Sequence, residues 1–272
     1  MRMMEKKRKL MELMEEYCRG DVCVAFSGGV DSSLLLALAC EAAEKHGTKV
    51  YAVTLDTVLH PKADLEIAEQ VLSRTSAIHE ILKMDELAVP EIRLNPKNRC
   101  YLCKKALYQK ILDFAVKKGA VVVMEGSNED DLHVYRPGLA AVRELGIQSP
   151  LAECGVTKAE VRALAGEYGL PVADRPSSPC LATRLPYGAR IDLTLLARID
   201  RAETAVRSLG FRNIRVRVHG DIVRLEADKD QFDKVFQYRE QILSILKKEG
   251  FCYITLDLEG FRSGSMDVKI QG

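Results

Sequence analysis

DVCVAFSGGVDSSLLLALACEAAEKHG, residues 21–47, is the stretch from which the fold is read. Val22 to Phe26 form a short apolar run of strand-forming residues, Gly28 and Gly29 break it at once, and from about Ser33 the chain is apolar for long enough to predict a buried helix. Two glycines let the backbone turn tightly and approach an anion without interference from a Cβ, while the amides of the following helix's first turn point at it. Ser27, Ser32 and Ser33 add hydroxyl groups. Asp31 does not itself attract phosphate, so its expected task is to hold Mg2+ or to fix a loop amide. The string lacks the Gly-Lys-Ser/Thr ending of a Walker A loop, which argues against γ-phosphate transfer.

Outward from this loop, strand and helix alternate: residues 49–55, then 61–75; residues 77–83, then a helix from about Cys100 to Lys118; then residues 120–126. That alternation predicts an open parallel sheet covered on both faces, which binds ligands at the carboxyl ends of its strands. Thr157 and Glu160 form a capping box that opens a further helix over 157–169. The stretch 174–190, DRPSSPCLATRLPYGAR, carries three prolines and no sustained period, so it is read as a linker or a rigid functional loop. Beyond it a helix from about Asp192 to Leu209, a hairpin turning at His219-Gly220-Asp221, a helix from Asp230 to Lys248 and a last strand predict a small α+β domain. The expected division is therefore an α/β domain over residues 1–173, a proline-braced cysteine loop over 174–190 and an α+β domain over 191–272.

The 272 residues are 47% hydrophobic and 29% charged, the composition of a globular chain. No apolar run approaches the ~20 residues that span a bilayer. The N-terminal stretch reads as an amphipathic helix rather than a secretion signal, and the expected location is cytoplasmic. From Ile191 onward there are 14 Lys and Arg against 13 Asp and Glu, and 26 of each before it. Neither part carries the positive excess that neutralising a nucleic acid demands, so no nucleic-acid partner and no membrane are expected.

Of eight cysteines, five read as core residues or bystanders: Cys18, Cys23, Cys40, Cys154 and Cys252. Cys100 and Cys103 begin a helix three residues apart and so share a face. Zinc, iron–sulfur and disulfide exchange all use that spacing. A four-thiolate zinc site needs another close pair, and none is visible. With Cys180 there are three thiolates, and three ligands on a [4Fe–4S] cluster leave one iron open. Replacing a carboxylate oxygen by sulfur needs an activated leaving group and a soft nucleophile; a phosphate loop and such cysteines are the two halves of an ATP-dependent thiolation. After the strand at 120–126, Gly126 opens a second loop near the nucleotide, where Asp130 or Asp131 is a candidate ligand of Mg2+ or substrate.

SGGVDSS resembles the pyrophosphate loop of the ATP pyrophosphatase superfamily, with its adenine nucleotide alpha hydrolase-like fold, which implies cleavage between the α and β phosphates of ATP. Together with NPKNRCYLCKKALY (95–108), EGSNEDD (125–131), TKAEVRALA (157–165), PSSPCLATRLPYG (176–188), GFRNIRVRVHGDIVRLE (210–226) and YITLDLEGFRSGS (253–265), it is similar to the LarE family of ATP-dependent sulfur transferases. The resemblance runs from about Asp21 to the C-terminus. It implies adenylation and thiolation of pyridinium-3,5-biscarboxylic acid mononucleotide during synthesis of the nickel-pincer nucleotide cofactor. Cys180 matches the family's sulfur-bearing cysteine, which some members sacrifice; Cys100 and Cys103 match those thought to hold a [4Fe–4S] cluster. Arg215 and Arg217 alternate along one strand, which suits gripping a phosphate, and family terms add Arg184 and Glu203 on the substrate side. A sulfide source and homo-oligomeric assembly are implied as partners. The chain departs from the family's pattern at His133 and Val134. Two other readings use the same features: a tRNA base thiolase of the same superfamily, and a non-enzymatic nucleotide-binding protein whose cysteines hold structural zinc.

Overall fold

The computed structural model describes residues 3–60, 63–173, 179–262 and 264–266, with the backbone alone for 63–67. Pro176 and its neighbours at 174–178, the front of the expected proline-braced loop, lie outside the described residues. The chain forms two compact units, one of residues 1–58, 62–88 and 98–178 and one of residues 59–61, 89–97 and 179–272.

In the first unit the helices and strands run α1 (Met3–Tyr17), β1 (Val22–Ala25), α2 (Val30–His46), β2 (Val50–Thr57), α3 (Ala63–Leu72), β3 (Ile78–Met84), α4 (Arg99–Lys118), β4 (Val122–Met124), α5 (Gly138–Glu144), α6 (Pro150–Glu153) and α7 (Lys158–Glu167). The sheet is wholly parallel in the order β3-β2-β1-β4. Alternation along the strands divides the core in two. Val22, Val24 and Ala52 pack with α1, α2 and α7 through Leu10, Leu35 and Leu164. Cys23, Tyr51, Val53 and Val123 turn the other way, onto Tyr108 and Ile111 of α4 and Val142 of α5. A strand with both faces buried is why Val22 to Ala25 reads as continuously apolar. The parallel order puts every strand's carboxyl end on one edge, so the residues after β1 and after β4 are neighbours.

The second unit holds α8 (Leu193–Arg207), β5 (Ile214–His219), β6 (Ile222–Ala227), α9 (Phe232–Gln237), α10 (Arg239–Lys248) and β7 (Tyr253–Leu256). β5 and β6 pair antiparallel, β6 and β7 parallel. Asp192 caps α8, its carboxylate accepting from Thr194 N at 2.8 Å. The single helix expected over 230–248 is two: the chain breaks at Tyr238, whose ring meets Phe211 edge-on at 6.3 Å. Among the described residues no helix is long and apolar enough to cross a membrane.

Candidate active site

Ser27 to Ser33 leave β1 and turn into α2. Gly28 has φ +69°, a conformation costly for any residue with a Cβ. The loop closes on its own hydroxyls. Ser32 Oγ donates to Gly29 O at 3.1 Å and accepts from Ser27 N at 3.3 Å, and Gly29 N donates to Ser27 Oγ at 3.4 Å. Ser33 is different: its hydroxyl is enclosed and without a hydrogen-bond partner, so the hydroxyls that shape the loop are those of Ser27 and Ser32.

Asp31 projects from the first turn of α2 between two residues that the sequence did not single out. Asn128 Nδ2 donates to its Oδ1 at 3.0 Å, and the Lys158 ammonium meets its Oδ2 in a short contact. Lys158 is placed by its own main chain. It follows the cap residue Thr157, whose capping box with Glu160 is formed, and its N–H donates to Asp130 at 2.8 Å. Gly126 brings the segment after β4 against the loop: a Cβ there would lie 2.8 Å from Ser32 N. The acids of this segment are engaged. Asp130 accepts from Lys158 N; Asp131 accepts from Asn128 N at 3.2 Å and pairs with Arg136 at 2.8 Å. His133 pairs with Glu129 at 2.8 Å. Among the described residues no three His, Cys, Asp or Glu side chains gather in a metal-holding group.

Beneath the loop, Glu125 is a buried carboxylate that sequence reading passed over. It accepts from Ser149 Oγ at 2.6 Å, Ser127 N at 3.0 Å, Tyr108 Oη at 3.2 Å and Lys104 Nζ at 3.3 Å. Burial pushes its pKa up, but Lys104 and the two serines outweigh burial and hold it below the usual carboxylate value. Glu125 therefore stays ionised and pins α4, β4 and the chain before α6 at the loop.

The cysteines divide by surroundings. Cys18, Cys23, Cys40 and Cys154 are buried, and burial pushes the thiols of Cys18 and Cys23 up to about 12. Cys100 is exposed and Cys103 half-buried on the first turns of α4. Arg99, itself buried, places Nη2 3.5 Å from Cys100 Sγ. Cys180 is half-buried and belongs to the second unit, where it precedes the 3-10 turn Leu181–Arg184. Cys252, exposed, is also there.

Arg215 and Arg217 do face the same way along β5, and both are buried. Arg217 pairs with Glu226 at 3.0 Å and donates to Thr183 O at 2.8 Å. Its direct cross-strand neighbour is Arg224, and Glu226 relieves that like-charge pair by also taking Arg224 at 3.2 Å. The Arg215 guanidinium lies 5.1 Å from the centre of the Phe261 ring. Burial, then Arg184, brings it down to about 10, with Glu203 opposing and Arg217 and Arg207 adding. Arg184 and Glu203 are a two-pronged ion pair, the closest approach 2.8 Å. The cluster holds more guanidinium groups than carboxylates.

A PP-loop domain family model matches residues 3–134. A pyridinium-3,5-bisthiocarboxylic acid mononucleotide synthase of Lactiplantibacillus plantarum is 35% identical over 262 residues, 96% of this chain and 94% of that protein. The chain belongs to the LarE family. An uncharacterized protein of Synechocystis, 38% identical over 90% of this chain and 91% of its own length, is a further full-length relative. Against these matches over nearly the whole chain, a tRNA-specific 2-thiouridylase of Rickettsia bellii is 26% identical over 57% of this chain and 51% of its own length.

Proposed function

We propose that the chain is an ATP-dependent sulfur transferase that makes pyridinium-3,5-bisthiocarboxylic acid mononucleotide from the biscarboxylic acid, in nickel-pincer cofactor synthesis. The observation that carries this is the loop Ser27–Ser33, a glycine-bent cradle at the N-terminus of α2 with an ammonium, Lys158, beside it. In the first step a substrate carboxylate oxygen attacks the α-phosphorus of ATP, the bond to the bridging oxygen breaks, and pyrophosphate leaves. Loop amides and hydroxyls, with Lys158, take up the charge of that leaving group. In the second, a sulfide attacks the carboxyl carbon, AMP leaves and the proton passes to solvent; the pair of steps repeats at the other carboxylate. A divalent ion would arrive on the nucleotide's phosphates, where Asp31 is the carboxylate placed to meet it. The cation-rich cluster around Arg215 and Arg217 supports recognition of the substrate's own phosphate.

Cys180 is the sulfur-transfer residue. Cys100 and Cys103, thiols outside the core on one helical face, fit the donor type of an iron–sulfur centre. Bound by these two and Cys180, a [4Fe–4S] cluster with one open iron would supply the soft sulfide. The partners are then a small nucleotide, a sulfide source and further copies of the chain. Pyrophosphate release and thiolated product, measured together, test the division of labour. Asp31→Ala should lose both, whereas Cys180→Ala should keep pyrophosphate release and form no thiocarboxylate. Equal loss of both activities in Cys180→Ala would count against it.

A further inference from the structure

The family resemblance places Arg184 and Glu203 on the substrate side, but all three guanidinium nitrogens of Arg184 are hydrogen-bonded to protein. Its side chain is 1% exposed, and Glu203 is fully enclosed. Nε donates to Glu203 Oε1 at 2.9 Å and Nη2 to Oε2 at 2.8 Å. Nη1 donates to the carbonyl oxygen of Pro179 at 2.8 Å, to that of Cys180 at 3.2 Å and to Thr183 Oγ1 at 3.0 Å. Thr183 Oγ1 itself donates to Cys180 O at 2.8 Å. A guanidinium recognises a phosphate by presenting a pair of N–H groups in one plane. Here the fork that would do so is closed on Glu203, and the remaining nitrogen on two successive carbonyls.

Glu203 is fixed in turn. Oε1 accepts from Val216 N at 2.9 Å, the outward amide of edge strand β5, and Oε2 from Arg207 at 3.1 Å. On the far side of the cysteine, Leu181 N donates to Leu59 O at 2.8 Å. A continuous run of hydrogen bonds thus joins β5 through α8 to the main chain on either side of Cys180. We infer that Arg184 and Glu203 are positioning residues that hold the Cys180 main chain, so that its thiolate is presented from a fixed point rather than from a loose loop. This rests on Cys180 being the sulfur-transfer residue.

The test compares native protein with Thr183→Val, Arg184→Lys and the paired Arg184→Met/Glu203→Leu, in which both buried charges go together and the fold is expected to survive. Each is first freed of iron by a chelator under reducing conditions and then treated with iodoacetamide; Cys180 labelling is followed by peptide mass spectrometry, with exposed Cys252 of the same unit as internal reference. Cys180 should label about tenfold faster in the paired variant and by a smaller factor in Thr183→Val, the order expected for hydrogen bonds lost at two carbonyls. Cys252 labelling should not change. Thiolation kcat should fall while the KM of the nucleotide substrate and pyrophosphate release hold. An unchanged Cys180 labelling rate in all three variants would overturn the anchoring. A raised KM with kcat intact would return Arg184 to the substrate. Native turnover by Cys180→Ser would instead overturn the underlying reading, whatever the labelling shows.

Discussion

A methyl group on residue 126 would lie 2.8 Å from Ser32 N and 3.1 Å from the Asp31 Cβ, neither of which can move without opening the loop. Gly126→Ala should therefore cost roughly 1–3 kcal/mol of stability by overpacking. It should also weaken ATP binding about tenfold or more through displaced loop amides. Calorimetric titration and thermal melting check both; native ATP affinity would show that the segment after β4 does not shape the cradle. Lys158 makes a sharper case. If its ammonium serves the leaving pyrophosphate, Lys158→Gln should weaken pyrophosphate about tenfold, the worth of one charge-assisted hydrogen bond, and leave AMP unaffected. If it serves only to neutralise Asp31, the two ligands should shift together. The glycines were legible in sequence because positive φ and close approach restrict the residue type. Lys158 was not, because it meets Asp31 from 127 residues away and its local signal is that of an ordinary helix start. Ser33 shows the converse: a hydroxyl in the right string that the helix turns inward.

At the level of elements, α8 and β5 are joined by a carboxylate whose ionisation should be visible in acid. Burial pushes the Glu203 pKa up, but Arg184 above all, then Arg215 and the Val216 amide, outweigh it and hold the group below 4.5. The unfolded chain thus takes up this proton at higher pH than the folded one. The stability it confers is complete above about pH 4.5 and is lost as pH falls through the lower folded value. Thermal melts from neutral pH to about pH 3 should show native protein losing stability over that acid range. Glu203→Gln, less stable at neutrality, should lose less there; parallel curves would remove Glu203 as the cause. The elements themselves were largely readable. The parallel sheet, the capped α7 and the β5–β6 hairpin follow from strong periodicity and turn residues. The break at Tyr238 and the short α5 and α6 did not announce themselves, since helices of four to seven residues are set by packing rather than by period.

Across the whole molecule, the question is whether the phosphate chemistry serves a small nucleotide or a polynucleotide, and the cysteines whether they hold iron or zinc. Anaerobic purification should give a brown protein with iron and acid-labile sulfide that Cys100→Ala diminishes; a colourless protein with stoichiometric zinc would favour a structural site. The RNA question turns on where the arginines lie. A polyanion is bound by solvent-facing Lys and Arg that release counterions along its length. With 40 basic residues against 39 acidic ones there is no overall excess, and Arg215 and Arg217, which the sequence offers as phosphate ligands, are enclosed in the second unit. An enclosed cluster takes one phosphate, not a backbone. Bulk tRNA at physiological salt should therefore give no tight gel shift, and substrate-like mononucleotide should raise the melting temperature of native protein more than that of Arg215→Ala. A tight shift that weakens steeply with added salt would mean that a surface other than this cluster recognises RNA, and would turn the reading to the tRNA thiolases.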